Sequence, residues 1–225
     1  MLKPHFKKLA TVFSFVIILL SIIWFTYFLV QLIGGDEAIK EIYTSWKLFE
    51  SFLLKNGFWL FVSIAILPGL ILPCAPLLIL AGIWGNEAGV GIACFYSILA
   101  LIINLIWTYW FAYGIGNRVI NKILKKFGYE IPQLPNENLL QWSVIFRLTP
   151  GVPFIFSNYT LGLLKMPFVK YLVVSIPIIS ITDCGFILAS AGIFGGNWKY
   201  IWGGISILVI LVIFSNMISK KRNAN

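Results

Sequence analysis

The sequence predicts an all-α integral membrane protein. Four transmembrane helices and two opposed re-entrant Pro-rich hairpins form an inverted repeat, with amphipathic interfacial helices beside them. Three observations carry this. Hydrophobic residues are 60% of the 225 and charged residues only 11%, against roughly 45–50% and about 25% in soluble domains. The few charges are spaced so that six long apolar runs lie between them. Two of those runs are broken by prolines at matching places.

A helix needs about 20 apolar residues to cross a bilayer. Counted between charges, the first run is Leu9–Gly35, with 27 residues. Lys3, Lys7 and Lys8 precede it as a signal peptide's basic region would. Its apolar core is too long for one and no small-residue cleavage site follows, so residues 1–35 read as an uncleaved anchor. Residues 36–57 follow as an amphipathic interfacial helix. Ile39, Ile42, Tyr43, Trp46, Phe49 and Leu53 keep helical spacing, and Gly57 is the expected C-terminal stop.

The second run, Asn56–Asn86, is 31 residues long and holds Pro68, Pro73 and Pro76. The fourth, Leu148–Leu164, is only 17 residues long and holds Pro150 and Pro153. Proline removes a backbone donor and clashes with the preceding turn. In lipid the freed carbonyls need protein or water partners. Both runs therefore read as broken hairpins buried among other helices. The third run, Ala88–Asn117, has 30 residues and reads as a full span. So do Leu172–Trp198, interrupted only by Asp183, and the 20-residue run Tyr200–Ser219. Between them, Gly116–Phe127 has a basic face (Arg118, Lys122, Lys125) suited to a surface helix on anionic lipid, and Tyr129–Asn138 reads as a loop.

The positive-inside rule tests the hairpin reading. With a cytoplasmic N-terminus and two re-entrant runs, 12 Lys and Arg residues fall inside and 4 outside. With both runs crossing fully, the split is 8 to 8. Lysine and arginine total 17 against 8 aspartate and glutamate, a net charge of +9. Most of that excess is topological, and what remains points to anionic head groups rather than nucleic acid.

Several chemistries are excluded. The one histidine, His5, cannot build a histidine metal site or a serine-type triad. Cys74, Cys94 and Cys184 show no CxxC spacing and read as buried apolar residues. No cofactor, no metal and no enzyme activity are expected.

The halves repeat. Leu67–Gly82 and Arg147–Gly162 each place a proline nine residues before a glycine, Pro73 to Gly82 and Pro153 to Gly162. Interrupted segments at matching positions of inverted halves point to a substrate site near the bilayer midplane. Arg147 is the leading candidate to carry it, because an intramembrane guanidinium keeps its charge and grips phosphate. Asp183, the only acid inside a span, is placed to take a proton or to pair with Arg147. Asn158 and Tyr159 would line a polar groove or satisfy carbonyls freed by the prolines. Glu87 and Arg118 are further candidates at the two surfaces.

Arg147-x-x-Pro150-x-x-Pro153, followed by Ser157-Asn158-Tyr159 and Gly162, resembles the second signature of the DedA superfamily, whose module is the VTT or SNARE-associated Golgi domain. Pro73-x-x-Pro76 with Gly82, Gly85 and Gly89 resembles the first. The likeness covers residues 58–195 and leaves 196–225 as a C-terminal span and basic tail. It is closest to the Tvp-like branch: Leu72–Leu80 has no acid, and Pro153 stands where proton-coupled members tend to carry a second arginine. The resemblance implies two opposed re-entrant loops and movement of phosphate-bearing lipids between leaflets. A small-solute transporter and a non-transporting membrane organiser are the alternatives. Membrane lipids are the expected partners and a homo-oligomer stays open. Compact size and short loops suggest a bacterial cell membrane, with both termini cytoplasmic.

Overall fold

A computed structural model of the chain describes residues 35–70, 72–119, 122, 136–148 and 152–222. Among them the regular structure is helical throughout. The chain divides into two units, Met1–Phe52 and Leu53–Asn225. The predicted anchor lies outside the described residues.

Helix α1, Gly35–Lys55, supplies the described part of the first unit and its last three residues belong to the second. Ile42, Tyr43, Trp46, Leu48 and Phe52 are exposed along it. Lys47 donates to Glu50 Oε2 at 3.1 Å, one turn away. Gly57 is not the stop predicted for this helix. The break falls at Asn56, and Gly57 starts the next helix. Its glycine is needed for packing, since a Cβ there would lie 2.8 Å from the Trp84 indole.

The second unit holds the remaining helices. Helix α2, Gly57–Ile66, runs into a 3₁₀ turn at Leu67–Gly69. The chain breaks and re-enters a helix at α3, Cys74–Ala88. Helix α4, Val90–Phe111, continues through a π-helical turn, Ala112–Gly116, to Val119. The surface helix predicted from Gly116 therefore begins as the end of α4, and of its residues beyond Val119 only Lys122 is described. Helix α5, Asn136–Leu148, starts inside the segment read as loop, because Asn136–Asn138 are already helical. After a second break come α6, Phe154–Leu163, and the long α7, Phe168–Gly195, with Pro177 in its interior. Helix α8 is Trp198–Arg222.

Among the described residues two helices are long and apolar enough to cross a membrane, Val90–Val119 and Phe168–Gly195, or three if a bent pair counts as one span. Trp198–Phe214 is a shorter apolar stretch. These helices are wrapped in exposed apolar side chains such as Phe95, Ile103, Val173 and Ile181. Apolar surface turned outward is what a lipid solvent requires.

The two breaks are built alike. Pro73 caps α3 with φ −60° and ψ 140°, and Pro153 caps α6 with φ −60° and ψ 139°. In both, the fixed proline φ sets the extended residue that starts the new helix. Pro76 sits in the first turn of α3, where its missing N–H leaves no gap in the helix ladder. The glycine nine residues on is in each case a close-packing point. A Cβ on Gly82 would crowd Ser190 Oγ and lie 2.6 Å from the Ile187 carbonyl on α7. A Cβ on Gly162 would lie 2.7 Å from Ala112 Cβ and 2.9 Å from the Tyr109 carbonyl. Tyr109 and Ile187 each stand twenty residues after the cap of their long helix, Gly89 and Pro167. Each broken arm thus leans on the long helix of the other half at an equivalent depth.

Candidate functional site

The first break and the second face one another across a cavity of about 710 Å³. Pro68, Leu72, Pro73 and Cys74 line it from the first half. Phe146, Arg147, Pro153 and Phe154 line it from the second. Ile179 and Asp183 of α7 form another wall, and Leu208, Leu211 and Val212 of α8 close it. The volume lies within the range of small-molecule pockets, roughly 300–1,000 Å³.

Arg147 ends α5 and reaches this space as a held side chain. Its Nε donates to Ser175 Oγ at 3.2 Å and its Nη2 to the Tyr171 hydroxyl at 3.3 Å. The guanidinium carbon stands 5.5 Å from the Phe154 ring centroid and 5.6 Å from that of Tyr171. Such cation–π contacts offset part of the cost of removing the charge from water. The third nitrogen, Nη1, is buried with no hydrogen-bond partner. Asp183 is 4% exposed, and its Oδ2 is likewise buried and unpartnered. The ion pair considered for these two residues is not formed: among the described residues the only pair within 4.0 Å is Lys47–Glu50.

The other expected residues divide clearly. Asn158 does not line the cavity. It is fully buried in the core, where its Nδ2 donates to Asn104 Oδ1 at 3.3 Å and to Thr108 Oγ1 at 3.1 Å. Asn104 Nδ2 in turn donates to the Ala65 carbonyl at 2.9 Å, joined there by Trp107 Nε1 at 2.8 Å. Tyr159 does not line it either. Its hydroxyl donates to the Gly69 carbonyl at 2.8 Å, so a side chain of the second half serves the proline-interrupted turn of the first. Pro76, Gly82 and Gly162 shape the arms that frame the cavity. Glu87 is exposed in the last turn of α3, and Arg118 is exposed past the π-helical turn of α4, both away from the cavity. Pro150 lies outside the described residues.

Sequence reasoning missed Tyr171 and Ser175, which hold Arg147, and the α8 wall. The signal was there as polar residues four apart on apolar helices, Tyr171/Ser175 and Asn104/Thr108, which share a face. The Tyr171 hydroxyl also donates to the Leu105 carbonyl at 3.3 Å, tying the arginine's support to α4. Tyr109 anchors the turn before α7 through the Met166 carbonyl at 2.6 Å.

Chemically, the site offers one fixed cationic donor and one buried carboxyl oxygen in a mostly apolar space that also holds Cys74, Ser157 and Thr182. Among the described residues its lining holds one acidic residue, Asp183, and one basic residue, Arg147.

The family model for the VTT domain matches residues 72–192, more than half of the chain and all of the cavity's walls except Pro68 and α8. No curated protein and no solved structure matches. With two broken segments joined to long apolar helices and this match, the chain is a multi-pass membrane protein that belongs to the VTT-domain family, the DedA/SNARE-associated Golgi family.

Proposed function

We propose that this protein moves phosphate-bearing lipids between the leaflets of its membrane through the cavity between its two broken segments. The observation that carries the reading is the convergence of both proline breaks on Arg147, whose Nη1 is buried and free. A guanidinium cannot lose its proton, so it is a permanent partner for a phosphate oxygen. The apolar walls suit the lipid's glycerol and upper chains, while the acyl tails stay in the bilayer.

In this reading residues 9–35, α4, α7 and α8 span the membrane. The two broken segments are re-entrant and enter from opposite faces. The like geometry of Pro73 and Pro153 and the exchanged packing of Gly82 and Gly162 support that inverted arrangement. Both termini face the cytoplasm, as the placement of the lysines and arginines favours, and a bacterial cell membrane fits the short connections. Its proline pattern resembles that of the Tvp-like branch. The protein acts as a translocase or scramblase and not as an enzyme.

The test is reconstitution in liposomes carrying fluorescent phospholipids or polyprenyl phosphate, read by how fast outer-leaflet quenching reaches the inner pool. The expected rate is about tenfold or more above protein-free liposomes. Rates equal to protein-free liposomes for every head group would refute the proposal.

A further inference from the structure

We infer that Cys94 and Cys184 form a modification site, where a quinone dissolved in the membrane oxidises the two thiols to a disulfide that staples α4 to α7. This stands apart from the lipid-moving reading and does not depend on it.

The two cysteines belong to the long helices of different halves, and those helices pack on each other. Cys94 lies in the second turn of α4, and Cys184 lies beyond the middle of α7. They are 90 positions apart in the chain, yet their thiols share a hydrogen bond. A disulfide needs two Cβ vectors that point at one another across a short gap. Thiols that already meet between two packed helices supply that arrangement. Three cysteines allow three pairings, and the structure selects this one. Cys74 lines the cavity at the start of α3, where its neighbour is Asp183 and not a second thiol.

Both members of the pair are only half-buried. Each shares a helix face with an exposed residue one turn earlier, Gly91 before Cys94 and Ile181 before Cys184. On apolar helices such a face meets hydrocarbon. Charged reagents are costly there, so the oxidant that reaches the pair is an apolar two-electron acceptor, which a quinone is. The reaction balances. Two S–H bonds break and one S–S bond forms, and two electrons and two protons pass to the quinone, which leaves as the quinol. A dithiol reductant reverses the bond by exchange.

The bond closes a long loop, and cross-links across long loops restrict the unfolded chain most. It also fixes two walls of one framework. Helix α4 carries Asn104 and Thr108, which hold Asn158, and α7 carries Tyr171 and Ser175, which hold Arg147.

The experiment uses the full chain in liposomes under argon. It is treated with a fully substituted benzoquinone, which cannot add thiols to its ring, or with diamide. Remaining thiols are then blocked with maleimide after denaturation, and peptides are read by mass spectrometry. Both reagents should protect Cys94 and Cys184 as one linked pair, leave Cys74 to be labelled, and raise Tm by roughly 4 °C or more. Dithiothreitol should restore all three labels. Cys74→Ser should leave the protection unchanged, and Cys94→Ser should expose Cys184. Full labelling of all three thiols after both reagents would overturn the site. So would a link through Cys74, a disulfide between two chains, or protection of Cys184 that survives Cys94→Ser. Linkage by diamide alone would overturn the quinone as oxidant, and linkage with unchanged Tm would overturn the staple.

Discussion

Replacing Gly82 or Gly162 with alanine tests whether each broken arm packs on the long helix of the opposite half. The added Cβ at residue 82 would meet the Ile187 carbonyl at 2.6 Å, and at residue 162 the Tyr109 carbonyl at 2.9 Å. Ordinary contact begins near 3.4 Å, so the helices must separate by about 0.5–0.8 Å in interiors that are otherwise close-packed. Ser190 Oγ and Ala112 Cβ are crowded as well, but the two carbonyls are backbone and cannot swing aside as a side-chain tip can. Overpacking of this kind costs about 1–3 kcal/mol. For a chain of this size each kcal/mol lowers Tm by roughly 2–4 °C, which gives an expected drop of about 2–12 °C. The assay is thermal unfolding of the detergent-purified protein, followed by tryptophan fluorescence and by loss of the monodisperse peak. Gly203→Ala is the control. It lies inside α8 with nothing within 4 Å of the added Cβ, so it is expected to be neutral or stabilising by up to about 1 kcal/mol. If Gly82→Ala and Gly162→Ala are as stable as Gly203→Ala, the exchanged packing is wrong.

Further predictions address the site. Tyr159→Phe leaves the ring in place but strands the Gly69 carbonyl, and should cost about 1–3 kcal/mol of stability in the same unfolding assay. Tyr171→Phe removes the acceptor of Arg147 Nη2 and the donor to Leu105. Lipid movement should fall about tenfold, and phosphate affinity should fall with it, because the guanidinium is no longer held in place. Arg147→Lys keeps the charge but gives up the planar fork, so flux measured in liposomes should drop toward that of Arg147→Gln instead of staying at the wild-type level. Glu87→Gln and Arg118→Gln, both exposed and outside the cavity, should change flux less than about twofold, as surface charges screened by salt do.

Much of the fold was legible because the membrane makes composition informative. Charge-free runs located α4, α7 and α8, and the proline runs located both breaks. Helix ends were read less well. Glycine often ends helices, but Gly57 opens α2 and packs against Trp84. Asn136–Asn138 looked like loop by polarity, yet they open α5.

The site was half legible. Arg147, Pro73, Pro153 and Asp183 stand out in sequence, since charge and proline are rare and costly inside an apolar run. Their meeting in one cavity depends on tertiary packing. Asn158 and Tyr159 look like groove residues in sequence, because nothing local tells a groove from a core. In the structure they hydrogen-bond Thr108, Asn104 and Gly69, partners 50 to 90 positions away in the chain. Tyr171 and Ser175 were passed over because a hydroxyl on an apolar helix has no evident task until its arginine is in place.

On the proposed function, lipid head groups pass the cavity at Arg147. The most direct measurement is lipid flux in matched liposomes containing either the wild type or Arg147→Gln, at equal protein content and after both are shown to unfold at similar temperatures. Rapid wild-type flux is expected to fall at least about tenfold in the variant, consistent with losing one buried charge-assisted contact. Wild-type flux that the variant reproduces in full would contradict it.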